Sequence, residues 1–454
     1  MIHASLTEIA DILAIPFPGQ DASFQGISID TRTLLPGNLF VAIPGEQFDG
    51  HQFVKAALEK GAAAVLVSKP IDCAIPQLLV ADTLLALGKI AADWRDRFDL
   101  PLIGVTGSNG KTTLKNIIAA ILCAACDNQS SAVLATEGNF NNHIGLPLNL
   151  ARLNKNHRYA VLEMGMNHFG EIAYLTQLAK PTVAVINNAA AAHLEGLQSV
   201  AGVAKAKGEI FLGLSHEGVA ILNKDDAHFD YWRGLIGNRH SISFGLTSFA
   251  DVTAVLTPDS TTIKTPKGDF NVTLPLLGRH NLMNALAATA ATLAIDIDLS
   301  AIKTGLENVK AAPGRMRQHL LSNNVRIIDD TYNANPFSLE AATHTLAEFS
   351  GTKILVLGDM KELGPDANQF HFQAGQHIKA AGIQHLLTYG NLSKAATDGF
   401  GENAAHFTDY ETLITALKPY LTSHATVLVK GSRSMQMEKV IAKIIPEEQL
   451  EHIH

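Results

Sequence analysis

The chain is poor in cysteine and in charge. Its 454 residues include 3 cysteines, too few for a disulfide framework, and only 17% of the residues are charged. Cys123 and Cys126 form a C-x-x-C pair late in a predicted helix, whereas redox-active pairs lie at a helix N-terminus, so core packing is the favoured role. With 47% hydrophobic residues, the composition is that of a globular protein with a well-buried core.

Signals of a membrane or secreted protein are also missing. No uninterrupted apolar run is long enough to cross a bilayer, and residues 1–5 place no basic segment before an apolar stretch. We therefore expect a soluble, cytoplasmic protein without a membrane span, and we expect a monomer. The formal net charge of −8 argues against general nucleic-acid binding, although a local basic cleft is compatible with it.

The length of the chain exceeds what one hydrophobic core usually organises, and the pattern predicts a three-domain α/β protein. Residues 1–98 form a small N-terminal α/β domain. Residues 99–312 alternate strand and helix as in a parallel sheet, with an antiparallel patch over 252–277. After a hinge-like Pro313-Gly314, residues 313–454 predict a Rossmann-like, doubly wound sheet. In the central domain, strands are predicted at 102–106, 131–135, 159–164, 182–187 and 218–222, and an alanine-rich helix at 281–295.

The stretch 102–113 is the most informative part of the chain. An apolar strand runs into a glycine-rich turn, after which Lys111 and Thr112 open a helical pattern. Such a turn lets backbone N–H groups surround a polyphosphate, while the lysine reaches its outer phosphates and the threonine hydroxyl ligates Mg²⁺. Val105 stands where the usual spacing has glycine, so this is a variant phosphate loop. The alternative is a glycine-rich turn that binds nothing. The candidate phosphate-binding residues are Gly107, Ser108, Asn109, Gly110, Lys111, Thr112 and Thr113.

Three other places carry candidate chemistry. Glu163 ends a buried strand of the same sheet, where a carboxylate is well placed to hold Mg²⁺, although many strands end in glutamate without binding a metal. His193 and Lys207 follow a further strand, but a lone histidine or lysine is usually a packing or surface residue. Asn281 and Asn284 lie on one helix face and either read an adenine edge or, for Asn281, cap the helix.

These motifs occur in the order in which they occur in the Mur ligase family, the ATP-dependent amide-forming enzymes of bacterial peptidoglycan synthesis. The chain resembles this family over essentially its whole length. Four further stretches resemble the members that act in the last addition to the peptide, and they span residues 136–142, 329–336, 357–364 and 429–433. The resemblance implies a role in building the cell wall, and through it in cell shape and division.

The resemblance also implies a metal site. Lys207 aligns with a lysine that the family carries as an N-carbamate, a CO2 adduct that turns a cation into a metal-ligating carboxylate. Glu163, His193 and carbamoylated Lys207 would hold one Mg²⁺, and Thr112 the other. The residues implied to be catalytic are Lys111, Glu163, His193 and Lys207.

The remaining roles concern ATP and the other substrates. Beyond the phosphate loop, the residues implied to bind ATP are Asn281, Asn284, Arg315, Asp330 and Tyr332. Those implied to hold the uridine-diphosphate end of the acceptor are Thr31, Arg32, Asp49, Gly50 and His51. Further substrate contacts are implied for Thr136, Asn139, Asn141, Asn142, Asn333 and Asn335.

The implied reaction joins D-alanyl-D-alanine to UDP-N-acetylmuramoyl-tripeptide, giving the pentapeptide, ADP and phosphate. ATP would convert the acceptor carboxylate into an acyl phosphate, which the incoming amine attacks after domain closure has excluded water. A ligase that adds the third amino acid and a folylpolyglutamate-type synthetase are the alternatives within the superfamily. A nucleotide-binding switch or regulatory ATPase is the alternative outside it. Whether the third residue of the acceptor is lysine or diaminopimelate is left open.

Overall fold

The computed structural model describes residues 1–17, 19–45, 48–192, 194–246, 249–257 and 260–445. Within these residues the chain forms three successive α/β units, and the predicted mixed α/β fold class is confirmed. None of the described helices combines the length and the apolar character needed to cross a bilayer.

The first unit contains a four-stranded parallel sheet in the order β3-β4-β5-β6 and a separate antiparallel pair, β1-β2. Its strands are β1 His3–Ser5, β2 Ser23–Gln25, β3 Ile27–Ser28, β4 Leu39–Val41, β5 Ala64–Val67 and β6 Gln77–Leu79, and its helices are α1 Leu6–Leu13, α2 Val54–Glu59 and α3 Thr83–Asp96. Asp82 caps α3, because its side chain accepts hydrogen bonds from the backbone N–H groups of Leu84 and Leu85.

The second unit is built on a six-stranded parallel sheet in the order β12-β11-β10-β7-β9-β8, with the predicted antiparallel patch as a separate sheet, β13-β14-β15. Its strands are β7 Leu102–Thr106, β8 Val133–Ala135, β9 Tyr159–Glu163, β10 Val183–Ile186, β11 Val219–Asn223, β12 His240–Phe244, β13 Thr253–Leu256, β14 Thr261–Thr265 and β15 Gly268–Val272. Its helices are α4 Lys111–Ala124, α5 Gly145–Leu150, α6 Glu171–Ala179, α7 Leu194–Leu197, α8 Val200–Gly208, α9 Phe229–Ile236, α10 Arg279–Leu293 and α11 Leu299–Asn308.

The order of this sheet determines where the site lies. Strand β7 is completely buried and pairs in parallel with β10 on one side and β9 on the other. Because parallel strands end at the same edge of a sheet, the segments that follow these three strands meet there. The predicted strand and helix positions listed for this unit are confirmed, with ends shifted by at most two residues.

The third unit is a six-stranded sheet in the order β16-β17-β21-β18-β19-β20, parallel except for the antiparallel edge strand β16. Its strands are β16 Arg317–Leu320, β17 Arg326–Asp330, β18 Lys353–Gly358, β19 His385–Tyr389, β20 Ala404–Phe407 and β21 Thr426–Lys430. Its helices are α12 Pro336–Ala347, α13 Ala367–Ala380, α14 Lys394–Phe400, α15 Tyr410–Leu417 and α16 Glu438–Ile444.

The hydrophobic cores join the first two units and leave the third with cores of its own. One cluster runs from Leu6 and Leu87 in the first unit to Leu162 and Trp232 in the second. Helix α3 lies in this shared core, where the Trp94 indole N–H donates to the Leu153 carbonyl at 3.1 Å. The third unit instead packs two separate clusters, one on each face of its sheet.

Candidate active site

The phosphate loop joins the end of β7 to the start of α4. The Lys111 ammonium folds back and donates to the Gly107 carbonyl at 2.7 Å. The loop is held from the neighbouring strand β10, because Ser108 N–H donates to the Asn188 carbonyl at 3.0 Å and Asn109 N–H donates to Asn188 Oδ1 at 2.9 Å. These contacts hold the loop at the carboxyl edge of the sheet.

Two glycines of this loop cannot carry a side chain. Gly110 caps α4 with a φ of 78°, and a Cβ there would lie 2.6 Å from Asn284 Oδ1. A Cβ on Gly107 would lie 2.9 Å from the Asn187 Cβ. The side-chain nitrogen of Asn109, Nδ2, is buried without a hydrogen-bond partner in the described parts of the chain. A buried donor beside backbone N–H groups and a lysine fits the oxygens of a polyphosphate.

Glu163 ends β9 directly opposite the phosphate loop. Its Oε2 accepts a hydrogen bond from the Thr112 hydroxyl at 2.8 Å, and its Oε1 accepts from Asn141 Nδ2 at 2.8 Å. A buried carboxylate and a hydroxyl in contact form an oxygen donor set of the kind that Mg²⁺ prefers. No group of three His, Cys, Asp or Glu side chains forms a metal cluster within the described residues. Phosphate oxygens and water would therefore have to complete the coordination shell of the ion.

The two lysines of α8 occupy opposite environments. Lys207 is only 2% exposed, and its burial, together with the positive charge of Lys111, holds its pKa well below the ordinary value. Lys205 is exposed and lies with its ammonium 5.6 Å from the ring centre of Phe169. The predicted metal ligand His193 lies outside the described residues.

The third unit contributes side chains to the same loop. Arg315 Nη2 donates to the Thr112 hydroxyl at 3.0 Å, and the guanidinium stacks 4.0 Å from the ring centre of Tyr332. Asn335 Nδ2 donates to Asn109 Oδ1 at 2.8 Å. Asp330, which the family resemblance implies to bind ATP, forms an ion pair of 2.6 Å with the buried Lys430.

The predicted adenine pair lies at the start of α10. This helix begins at Arg279 with Gly278 as its N-cap, so the alternative in which Asn281 caps the helix is wrong. Instead, Asn281 Nδ2 donates to the Leu277 carbonyl at 2.7 Å, and Asn284 Nδ2 donates to Asn281 Oδ1 at 3.1 Å. Asn187 Nδ2 in turn donates to Asn284 Oδ1 at 2.8 Å, which connects the pair to the phosphate loop.

A cavity of about 1110 Å³ lies between the second and third units and collects most of the predicted residues. Those that line it are Ser108, Asn109, Gly110, Lys111, Thr112, Thr113, Asn141, Asn142, Glu163, Asn281, Asn284, Arg315, Asp330, Tyr332, Asn333 and Asn335. Gly107, Thr136, Asn139 and Lys207 are not part of its described lining. Phosphate, metal and adenine candidates thus converge on one space large enough for a nucleotide.

The predicted residues of the first unit lie apart from this cavity. Arg32 forms an ion pair of 2.7 Å with Asp30, and its side chain is 88% exposed. His51 donates from Nδ1 to Asp49 Oδ1 at 2.5 Å and accepts at Nε2 from the backbone N–H of Ser68 at 2.9 Å. Lys69 also pairs with Asp49, and its ammonium is the main cause that holds the pKa of that carboxyl well below its usual range. A Cβ on Gly50 would lie 2.6 Å from the backbone nitrogen of Ile43, so this turn requires glycine.

Several lining residues were missed at the level of sequence. Asn223 ends β11 and Asp226 follows it, and Lys430 ends β21. Asp226 Oδ2 accepts from the Ala189 N–H at 2.8 Å, which ties the segment after β11 to the segment after β10. The signal that was available is position, since polar residues at the carboxyl end of a parallel strand face the ligand edge.

A phosphate loop on a parallel sheet, faced by a buried carboxylate and by an arginine of a third unit, defines a nucleotide-dependent enzyme whose site forms between units. Sequence comparison identifies the family. The Mur ligase family catalytic domain matches residues 23–95, the Mur ligase middle domain matches 105–292, and the Mur ligase glutamate ligase domain matches 314–433. The chain belongs to the Mur ligase family.

Individual relatives are similar over nearly the full length. UDP-N-acetylmuramoyl-tripeptide–D-alanyl-D-alanine ligase of Escherichia coli is 46% identical over 451 residues, which cover 97% of this chain and 98% of the relative. A crystal structure of MurF from Acinetobacter baumannii superposes with a TM-score of 0.90 at 35% identity, covering 98% of this chain and 99% of that one. The MurF ligase of Thermotoga maritima in complex with ADP gives a TM-score of 0.82 at 28% identity, covering 95% and 99%.

Proposed function

We propose that this chain is an ATP-dependent ligase that joins D-alanyl-D-alanine to UDP-N-acetylmuramoyl-tripeptide in peptidoglycan precursor synthesis, the reaction of EC 6.3.2.10. The observation that carries the proposal is the 46% identity, over 97% of the chain, to an enzyme named for that reaction. The geometry supports it, because one cavity holds a phosphate loop, a buried carboxylate and side chains of the third unit. The domains that we assign are 1–98 for the acceptor nucleotide, 99–312 for ATP and 313–454 for the dipeptide.

The phosphate loop and Arg315 are assigned to the phosphates of ATP. Lys111 exchanges its bond to the Gly107 carbonyl for phosphate oxygens, and Arg315 reaches the same place from the third unit. Both cations stabilise the negative charge that develops when the terminal phosphoryl group passes to the acceptor carboxylate. Bound Mg²⁺ supplies further positive charge, and Thr112 and Glu163 are the described residues that would hold it. ADP in the Thermotoga maritima relative supports a nucleotide at this site.

Lys207 is assigned to a carbamate. Reaction with CO2 requires a neutral amine, and burial together with the charge of Lys111 favours that form by lowering the pKa of Lys207. The carbamate carries a negative charge, which is stabilised rather than repelled by Lys111. His193 is proposed to hold Mg²⁺ together with this carbamate, and that role rests on the family resemblance alone.

The acceptor end of the reaction is assigned to two places. Thr31, Arg32, Asp49, Gly50 and His51 are proposed to hold the uridine diphosphate. Asn141 and Asn142 line the cavity from the second unit, and Asn333 lines it from the third unit. The acyl phosphate and the incoming amine would meet in the cavity, between the residues of the second unit and those of the third. This space would exclude water when the two units are closed.

The test is an assay of ADP release with the purified chain. UDP-N-acetylmuramoyl-tripeptide carrying either lysine or diaminopimelate is supplied with and without D-alanyl-D-alanine. A ligase releases ADP in step with pentapeptide formation, and only when both the tripeptide and the dipeptide are present. Steady ADP release without an acceptor would instead indicate a stand-alone ATPase, and would overturn the proposal.

The variant Lys111→Ala tests the phosphate loop in the same assay. We expect loss of ligation, because the ammonium is needed only where the phosphates gather, with a melting temperature close to that of the wild type. Pentapeptide formation at the wild-type rate would remove the loop from the mechanism.

A further inference from the structure

The helix that begins at the phosphate loop carries a second lysine, Lys115, one turn after Lys111. Its side chain is buried, with 7% of the residue exposed, between the apolar positions of α4. The ammonium donates to the Thr136 backbone carbonyl at 3.0 Å. The reaction as assigned above gives this lysine no role.

Thr136 is the first residue of loop 136–142, which follows β8, leads towards α5 and contains four of the residues implied to contact substrate. The Thr136 hydroxyl accepts from the Glu163 N–H at 2.9 Å. Asn149 Nδ2 donates to the Phe140 carbonyl at 2.9 Å, and Asn141 Nδ2 donates to Glu163. The loop is therefore attached at its start, middle and end, and its attachment at the start to the phosphate-loop helix is made by Lys115.

Packing alone does not account for a lysine at this position. Burial of an ammonium is unfavourable unless an acceptor or an opposite charge compensates it, and an apolar side chain would fill the same space without that cost. Here, burial lowers the pKa of Lys115, while the nearby Glu163 carboxylate acts in the opposite direction and favours the charged form. The Lys115 ammonium thus lies near two groups that the proposed reaction uses, the substrate loop that begins at Thr136 and the buried Glu163 carboxylate.

We propose that Lys115 is a positioning residue that holds loop 136–142 in the conformation that binds the acceptor nucleotide. This inference rests on the proposed function, since it takes UDP-N-acetylmuramoyl-tripeptide as the ligand of the loop. Lys115 acts through the loop rather than on the reacting atoms. Its removal should therefore weaken acceptor binding much more than ATP binding.

The experiment compares three variants with the wild type. Lys115→Met keeps the length of the side chain but removes the charge and the donor, and Lys115→Arg keeps both. Ile118→Val is the matched control, because it removes one methyl from a fully buried position of the same helix and lowers stability without touching a polar contact. Binding of UDP-N-acetylmuramoyl-tripeptide is measured by calorimetry without ATP, KM is measured for ATP and for the acceptor, and amide exchange is followed over loop 136–142.

For Lys115→Met we expect a rise of roughly tenfold in the dissociation constant and KM for the acceptor, the size expected for losing a hydrogen bond from a charged donor. We expect the KM for ATP to change by less than about twofold. Amides of the loop should exchange faster, Lys115→Arg should restore most of the affinity, and Ile118→Val should change neither KM.

Three results would overturn the inference: unchanged acceptor affinity in Lys115→Met, an equal rise in both KM values, or the same effect in Ile118→Val. If Lys115→Met is too unstable to purify, Lys115→Leu provides the same comparison, since its apolar side chain also lacks both the charge and the donor. Failure of the proposed function is recognised separately, because the wild-type chain would then not release ADP with the tripeptide and dipeptide.

Discussion

Asn335 offers a sharp perturbation because its side chain has two separable roles. Its Oδ1 accepts from the Ser338 N–H at 2.8 Å and caps α12, while its Nδ2 donates to Asn109 Oδ1 in the phosphate loop at 2.8 Å. Aspartate caps a helix as well as asparagine does, so Asn335→Asp keeps the first role and loses the second. The variant thereby tests the contact between units without removing the helix cap.

The expected magnitudes follow from these two contacts. The stability of α12 should change by less than about 0.5 kcal/mol, or rise slightly, because a negative charge is favourable at a helix N-terminus. Loss of the bond to Asn109 costs about 1 kcal/mol, and repulsion of the new carboxylate by Asn109 Oδ1 and by the phosphates of ATP adds about 1–2 kcal/mol. The sum of about 2–3 kcal/mol corresponds to a fall of about 30- to 150-fold in kcat/KM.

Thermal unfolding and kcat/KM for ATP are measured side by side, with Asn335→Ala as the matched control. The alanine variant loses the cap as well as the bond, so it should be less stable by about 1 kcal/mol, yet it adds no charge and should retain more activity than Asn335→Asp. The reasoning is refuted if Asn335→Asp unfolds at a lower temperature while its kcat/KM stays at the wild-type value. That pattern would mean that the cap matters and the contact between units does not.

Two other predictions concern buried groups. Lys207→Ala should be nearly inactive and partly rescued by a small carboxylate, and the activity of the wild type should depend on dissolved CO2. Lys205→Ala, which changes an exposed lysine, should stay active. If Lys205→Ala were inactive and Lys207→Ala active, the assignment of Lys207 to the metal site would be wrong. His371 is fully buried, accepts from the Met360 N–H at Nε2, and has a pKa lowered by burial, so below about pH 6.5 the unfolded chain binds the proton that the folded chain refuses. The free energy of unfolding should therefore decrease as the pH is lowered. In urea unfolding, His371→Gln should show a smaller decrease than the wild type between about pH 7 and pH 5, and an equal decrease would contradict the role given to His371.

Local patterns were enough to predict much of the fold. The apolar run of β7 and the helix after it are determined by residues that lie close together in the chain. Edge strands were harder, because β16 and β20 are short and carry polar residues that show no clear alternation. The exact start of α10 also differed from the predicted one, since the helix begins at Arg279 and Gly278 rather than an asparagine provides its cap.

Site residues at the ends of strands could be predicted from the sequence. Contacts between side chains of different units could not. Glu163 could be placed beside the phosphate loop from the parallel sheet alone. The bond from Asn335 to Asn109 joins residues of different units, and no local pattern indicates which side chains will meet across that gap. The burial of Lys115 was missed for a similar reason, because a lysine in an amphipathic helix is normally assigned to the solvent side.

The shared core around α3 has a consequence for how the molecule can be divided. Arg95 donates to the Ala179 carbonyl at 3.0 Å, and Asp96 pairs with Lys180, so the last turn of α3 is bonded to the second unit by polar contacts as well as by packing. Cleavage of the backbone near residue 98 would leave two fragments that still pack against each other through the shared hydrophobic core. After a cut near residue 313, no cluster of buried hydrophobic residues in the described part of the chain would span the break, so the third unit, with its own cores, could dissociate as an intact piece. Evolution could exchange that piece between relatives more easily than it could exchange the first.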